Sequence, residues 1–157
     1  MPTHEFFLKA AVQLSAKNVQ SNVGGPFGAV IVQHGRIIAR GVNLVTAHND
    51  PTAHAEVVAI RKACKKLKTF ELSNCILYSS CEPCPMCLAS AYWARVDAIY
   101  FANNRADAAA IGFSDQDIYN EFLKGLAERQ LPIFEIPLAE AKEVFKRWNQ
   151  NAAKVMY

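Results

Sequence analysis

Two short stretches, Thr52-Ala53-His54-Ala55-Glu56 and Cys81-Glu82-Pro83-Cys84-Pro85-Met86-Cys87, restrict what this chain can fold into, because their side chains are useful only when brought together. Proline is favoured at the first position of a helix, so Pro85 makes Cys84 the predicted N-cap and Cys87 the third residue of the first turn. Both sulfurs then lie where unpaired backbone N–H groups and the positive end of the helix dipole favour the thiolate, the form that binds metal. Asp50-Pro51-Thr52 is a turn-and-cap signal ahead of a second helix that begins near Ala53 and carries His54 and Glu56. Those two side chains are about 200° apart around a helix of 3.6 residues per turn and cannot share a side face. They can both reach an object beyond the helix end, and a metal ion between two helix N-termini is such an object.

His54, Cys84 and Cys87 offer zinc three ligands and leave a fourth position for water, which is the arrangement of catalytic rather than structural sites. Glu56 is the group placed to carry that water's proton. Two other readings compete. Cys81 could complete a closed four-ligand structural site, or Cys84 and Cys87 could form a redox pair. The first leaves Glu56 unused and the second leaves both His54 and Glu56 without a role. Cys81 then reads as a small buried hydrophobe at a strand end, and Cys64 and Cys75 as ordinary thiols.

A chain of 157 residues that is 52% hydrophobic fits a single domain with a real core. Its 17 Lys and Arg against 14 Asp and Glu give a net charge of +3, which demands no anionic partner. The N-terminus does not resemble a signal peptide, and charges interrupt every apolar run well short of membrane-spanning length. The expected location is the cytoplasm, away from membranes. Five cysteines, with two at metal spacing, fit a reducing compartment better than a disulfide framework.

Read in order, Thr3 caps a helix running to about Gln20, which packs through Phe7, Ala11 and Leu14. Gly24-Gly25-Pro26 breaks it, without the Gly-Lys-Ser or Gly-Lys-Thr end of a phosphate loop. Phe27–Val32 and Arg36–Val42 flank His34-Gly35 and predict a hairpin with a solvated His34 at its tip. Spacing alone places Phe27 in the core and reads Asn43 as turn chemistry, although its amide could hold a base edge. Thr46 to Pro51 reads as a loop in which His48 has no partner at ligand spacing. The His54 helix runs to about Leu67, with Arg61, Lys62, Lys65, Lys66 and Lys68 on a solvated face. A short strand at Ile76–Tyr78, the Cys84 helix and a strand at Ala98–Ala102 follow. Such alternation predicts an α/β layered domain whose later strands pair in parallel. Beyond Asn104 the pattern predicts helices near 106–111 and 115–126, a last strand at Ile133–Ile136 bracketed by Pro132 and Pro137, and an amphipathic helix over 138–154.

Gly25-Pro26-Phe27-Gly28-Ala29-Val30, Pro51-Thr52-Ala53-His54-Ala55-Glu56 and Cys81 to Cys87 together resemble the cytidine-deaminase-like zinc hydrolases, whose signature pairs His-x-Glu with Pro-Cys-x-x-Cys. Tyr92-Trp93-Ala94-Arg95, Gly112-Phe113-Ser114-Asp115 and the terminal Tyr157 extend the resemblance nearly end to end, toward the small bacterial guanine deaminases. The resemblance implies a three-layer α/β/α fold with a mixed sheet of about five strands, and one zinc per subunit on His54, Cys84 and Cys87. It implies hydrolysis of guanine to xanthine and ammonia, with Glu56 shuttling protons and Asp115 acting near the exocyclic amine. Phe27 would stack on the purine, against the reading from spacing, and Asn43 would hydrogen-bond its edge, with Trp93 and Tyr157 as further substrate contacts. The segment from about 138 to 157 would cross to a second subunit in a domain-swapped homodimer. Glu82 is a candidate second acid.

Alternatives remain at this stage. A tRNA adenosine deaminase would use the same machinery, but the last helix mixes Glu140 and Glu143 with Lys142, Lys146 and Arg147, which argues against nucleic acid. A cytosine or s-triazine deaminase is a further enzyme reading. A zinc-stabilised interaction module is the reading without catalysis, and Glu56 counts against it.

Overall fold

A computed structural model of the chain describes residues 2–157. The chain divides into two compact units, the first ending at Asp115 and the second running from Gln116 to Tyr157. The first unit opens with α1 (His4–Gln20), whose N-cap Thr3 accepts a hydrogen bond from the Phe6 N–H. Strands β1 (Gly28–Gln33) and β2 (Arg36–Val42) follow, then α2 (Val45–His48) and α3 (Ala55–Leu67). Strand β3 (Cys75–Cys81), α4 (Pro85–Trp93), β4 (Ala98–Asn103) and α5 (Arg105–Ala110) complete it.

The hairpin forms as the sequence predicts. His34 and Gly35 both have positive φ, 48° and 73°, and close a two-residue turn that pairs Gln33 with Arg36. Strand order is β2-β1-β3-β4, with β1 antiparallel to both neighbours and β3 parallel to β4. Alternation along β1 separates two cores. Ala29 and Ile31 face Ala55, Ala59, Ile60 and Ala63 of α3 and Ala91 of α4. Val30 and Val32 face Phe7 of α1, together with Tyr78 of β3. The result is the three-layer α/β/α sandwich expected.

Gly41 shows how tightly the α3 layer is seated. A Cβ there would overlap the carbonyl oxygen of Ala55 and crowd the Ala59 N–H. Gly41→Ala is therefore expected to destabilise the zinc-loaded protein by about 3 kcal/mol, since overpacking at a rigid backbone has no flexible side chain to yield. Calorimetry should record a Tm lower by roughly 10 °C; a change within one degree would mean that α3 does not lie this close to β2.

Four expectations are corrected. The sheet has four strands, not about five, and residues 133–136 are not a strand among the described residues. Ile133, Phe134 and Ile136 are exposed, and a strand needs a partner edge that the prolines on either side do nothing to supply. The stretch read as a loop from Thr46 contains the single helical turn α2. Thr52 does not cap α3, because its N–H and hydroxyl both turn back to Asp50 Oδ1, at 2.8 and 2.7 Å, leaving His54 itself as the N-cap.

The second unit holds α6 (Gln116–Phe122), a 3-10 turn at Leu126–Glu128 and α7 (Ala139–Gln150), shorter at both ends than predicted. Glu121 organises its first half, pairing with Lys124 Nζ and accepting from the Gln130 N–H at 2.7 Å. None of its helices has a buried residue. Among the described residues no helix is long and apolar enough to cross a membrane, and the five cysteines are free thiols.

Candidate active site

The two motif stretches end as N-caps facing one another. His54 caps α3 and Cys84 caps α4, both with extended backbone (ψ 156° and 169°), and neither spends its side chain on a capping hydrogen bond. Pro85 stands at the first helical position and brings Cys87 into the first turn, as predicted. His54 Nδ1 lies 3.6 Å from Cys84 Sγ and 3.6 Å from Cys87 Sγ. A tetrahedral ion with bonds of about 2.3 Å to sulfur and about 2.0 Å to nitrogen separates such atoms by about 3.5 Å. The donor set therefore fits zinc with little rearrangement and leaves one position open. Among the described residues these three form a group that could hold a metal ion, and Cys81 is outside it.

Glu56 occupies the second position of α3 and is buried. Its Oε2 lies 3.5 Å from Cys87 Sγ, and its Oε1 accepts a hydrogen bond from the Ser79 hydroxyl at 3.1 Å. Burial pushes the Glu56 carboxyl above its ordinary value, while its own backbone N–H and Ser79 pull the other way. Hydrogen bonding from Cys87, against the cost of burial, and from His54 lowers the Cys84 thiol to about 4. Cys87 is pushed up by sharing that proton and by burial, and His54 is raised chiefly by its hydrogen bond to Cys84. Cys81 is pushed up to about 11, first by burial, and its Sγ turns to the Asn104 carbonyl at 3.8 Å. It is buried at the end of β3, where the sequence places a small hydrophobe.

The remaining candidates are distributed unevenly. Phe27 is partly buried, packed on the α3 core and set edge-on to Phe113 with ring centroids 5.0 Å apart. Asn43 is buried directly after β2. Asp115 ends the first unit, and its carboxyl is raised first by burial and then by the negative charge of Cys84, while Arg105 opposes this. Trp93 stands at the opposite end of α4 from Cys84, about 13 Å along the axis, and the structure does not bring it to the metal group. Tyr157 is exposed in the second unit. Glu82 is engaged structurally: it accepts from the Arg105 N–H at 3.0 Å and from its guanidinium at 3.0 and 3.3 Å, tying the ligand loop to α5.

Ser79, whose hydroxyl donates to Glu56, is a contact that reading the sequence does not find. β3 reaches Cys81, beyond the predicted Tyr78, and alternation from Leu77 places Ser79 on the α3 face, where a buried hydroxyl must find a partner. Ser79→Ala is expected to keep zinc and KM while lowering kcat about 10-fold, the worth of one hydrogen bond to a charged group. Steady-state kinetics with metal analysis checks this; an unchanged kcat would show that Glu56 is held without Ser79.

Residues 1–103 match the family described as the cytidine and deoxycytidylate deaminase zinc-binding region. The guanine deaminase of Bacillus subtilis (strain 168) is 54% identical over 154 residues, covering 98% of this chain and 99% of that protein. A solved structure of Bacillus subtilis guanine deaminase superposes with a TM-score of 0.97 at 53% identity, covering 99% of both chains. The tRNA-specific adenosine deaminase of Aquifex aeolicus is 42% identical over 98 residues, covering 62% of this chain and 64% of that protein.

Proposed function

The chain belongs to the cytidine and deoxycytidylate deaminase zinc-binding family, and within it we propose that it is a zinc-dependent guanine deaminase, hydrolysing guanine to xanthine and ammonia. The observation that carries this reading is a buried carboxylate, Glu56, beside three metal donors that leave one position open, in a chain alike end to end to a guanine deaminase. Likeness to the tRNA deaminase covers a smaller part of the chain.

His54, Cys84 and Cys87 would hold one zinc per subunit, which would supply Lewis-acid activation of a water at its open position. Glu56 takes the proton from the attacking water and delivers it to ring N3, so that C2 becomes tetrahedral. Glu56, together with Asp115, then passes the proton of the new C2 hydroxyl to the amine, which leaves as ammonia while C2 becomes the carbonyl carbon of xanthine. Phe27 offers a ring face beside the glycine-rich loop, and Asn43 meets the purine edge.

Two copies exchange the segment from about 138 to 157, which brings Tyr157 to the other subunit's purine. The exposed Phe134, Ile136, Phe145 and Met156 support that exchange, since a lone chain rarely leaves so much apolar surface in water. Sedimentation should find twice the 17.4 kDa chain mass, and a monomer at full activity would remove the swap. Free thiols throughout suit the reducing cytoplasm.

The deciding experiment is ammonia release from guanine, guanosine, adenine and cytosine by the zinc-loaded protein. Guanine should be turned over at least about 100-fold better than adenine or cytosine, the discrimination a site gains by hydrogen-bonding its substrate. Preferential deamination of adenosine in an anticodon stem-loop would overturn the reading.

A further inference from the structure

The polar groups behind Asn43 form a chain that begins on α1. Asn18, three residues from the helix end, is only 3% exposed. Its Nδ2 donates both hydrogens, to the Gly25 carbonyl at 2.8 Å and to the Asn43 carbonyl at 2.9 Å. These acceptors belong to different segments, the glycine loop before β1 and the turn after β2. The segments are in such close register that a Cβ on Gly24 would overlap the Asn43 carbonyl oxygen. Held together, they aim two backbone donors at one atom: the Gly25 N–H, at 3.4 Å, and the Val45 N–H, at 3.2 Å, both point to Asn43 Oδ1.

A backbone N–H can only donate, so the Asn43 amide has one allowed orientation, oxygen inward and NH2 outward. Among the described residues no acceptor takes those NH2 hydrogens. We propose that Asn18 is a positioning residue that fixes the polarity of Asn43, so that the site presents an N–H donor to position 6 of the purine. The inference rests on the guanine reading above and deepens it. Guanine carries an oxygen at that position, which accepts; 2,6-diaminopurine keeps the 2-amine but carries a 6-amine, which donates. With the clamp intact the site favours the oxo purine. With the clamp broken the amide can turn over, and the preference narrows.

The test compares kcat/KM for guanine and 2,6-diaminopurine, by ammonia release, in zinc-loaded wild type, Asn18→Asp and Asn18→Ser. The guanine to diaminopurine ratio should fall about 10-fold or more in both variants, with KM for guanine rising more than kcat falls and zinc content unchanged. The ratio is taken on one preparation, so loss of folded fraction cancels from it, and a role limited to stability leaves it at the wild-type value. Gly24→Ala, which forces the same two segments apart without touching Asn18, should lower it too. A ratio within twofold of wild type in all three variants overturns the proposal. If wild type releases no ammonia from guanine, the guanine reading itself falls, and that result is visible before any variant is made.

Discussion

Glu56→Gln should bind one zinc per chain as wild type does and lose about four orders of magnitude in kcat. Gln matches Glu in shape and keeps an oxygen that can accept from the Ser79 hydroxyl, so neither packing nor the three metal donors are disturbed. Its amide cannot take up a proton. A positioned acid or base contributes about 10²–10⁴-fold, and the upper end is expected because the same carboxylate serves both the attack on C2 and the departure of the amine. Metal analysis with single-turnover kinetics decides the matter; kcat within 10-fold of wild type would take Glu56 out of the mechanism.

The same substitution makes a stability prediction of opposite sign. Burial raises the Glu56 pKa in the folded metal-free chain, so its contribution to stability is complete below the ordinary carboxylate value of 4.5 and is lost as pH rises through the raised value. Gln has nothing to ionise. Metal-free Glu56→Gln should therefore melt above metal-free wild type at pH 7, and the gap should close below about pH 4.5.

What could be read from the sequence, and what could not, divides by the range of the physics involved. The metal half-site was legible because Pro85, Cys84 and Cys87 act within one helical turn. The hairpin was legible because His34 and Gly35 are adjacent residues that tolerate positive φ. The start of α3 was misread by two residues, since Thr52 had two possible partners and Asp50 won it. Residues 133–136 looked like a strand because an apolar run between prolines says nothing about whether an edge is available. Asn18 and Ser79 were invisible for a related reason. Each acts on a partner 23 or more residues away in at least one of its bonds, and no local spacing encodes that.

Stripping zinc, or replacing one ligand, should have the second large effect, and its reach extends from chemistry to the joint between α3 and α4. His54 and Cys84 stand at the N-caps of those helices without capping through their side chains, so an ion held between them would join the two helix starts. Binding confined to the folded state stabilises by about 4 kcal/mol when the metal is a thousandfold above its Kd, which lowers Tm by roughly 8–16 °C on removal. The sheet should persist, because the clusters around Ile31 and Tyr78 are built without the site. Chelated protein is thus expected to keep its far-ultraviolet circular dichroism, melt early and release no ammonia, with activity returning on added zinc. Cys87→Ala should behave like chelated protein even with zinc supplied. Cys81→Ser should bind zinc as wild type does, since that sulfur faces the Asn104 carbonyl rather than the three donors. If Cys81→Ser lost stoichiometric zinc while Cys87→Ala retained it, the open position beside Glu56 would not exist, and a closed structural site would have to replace it.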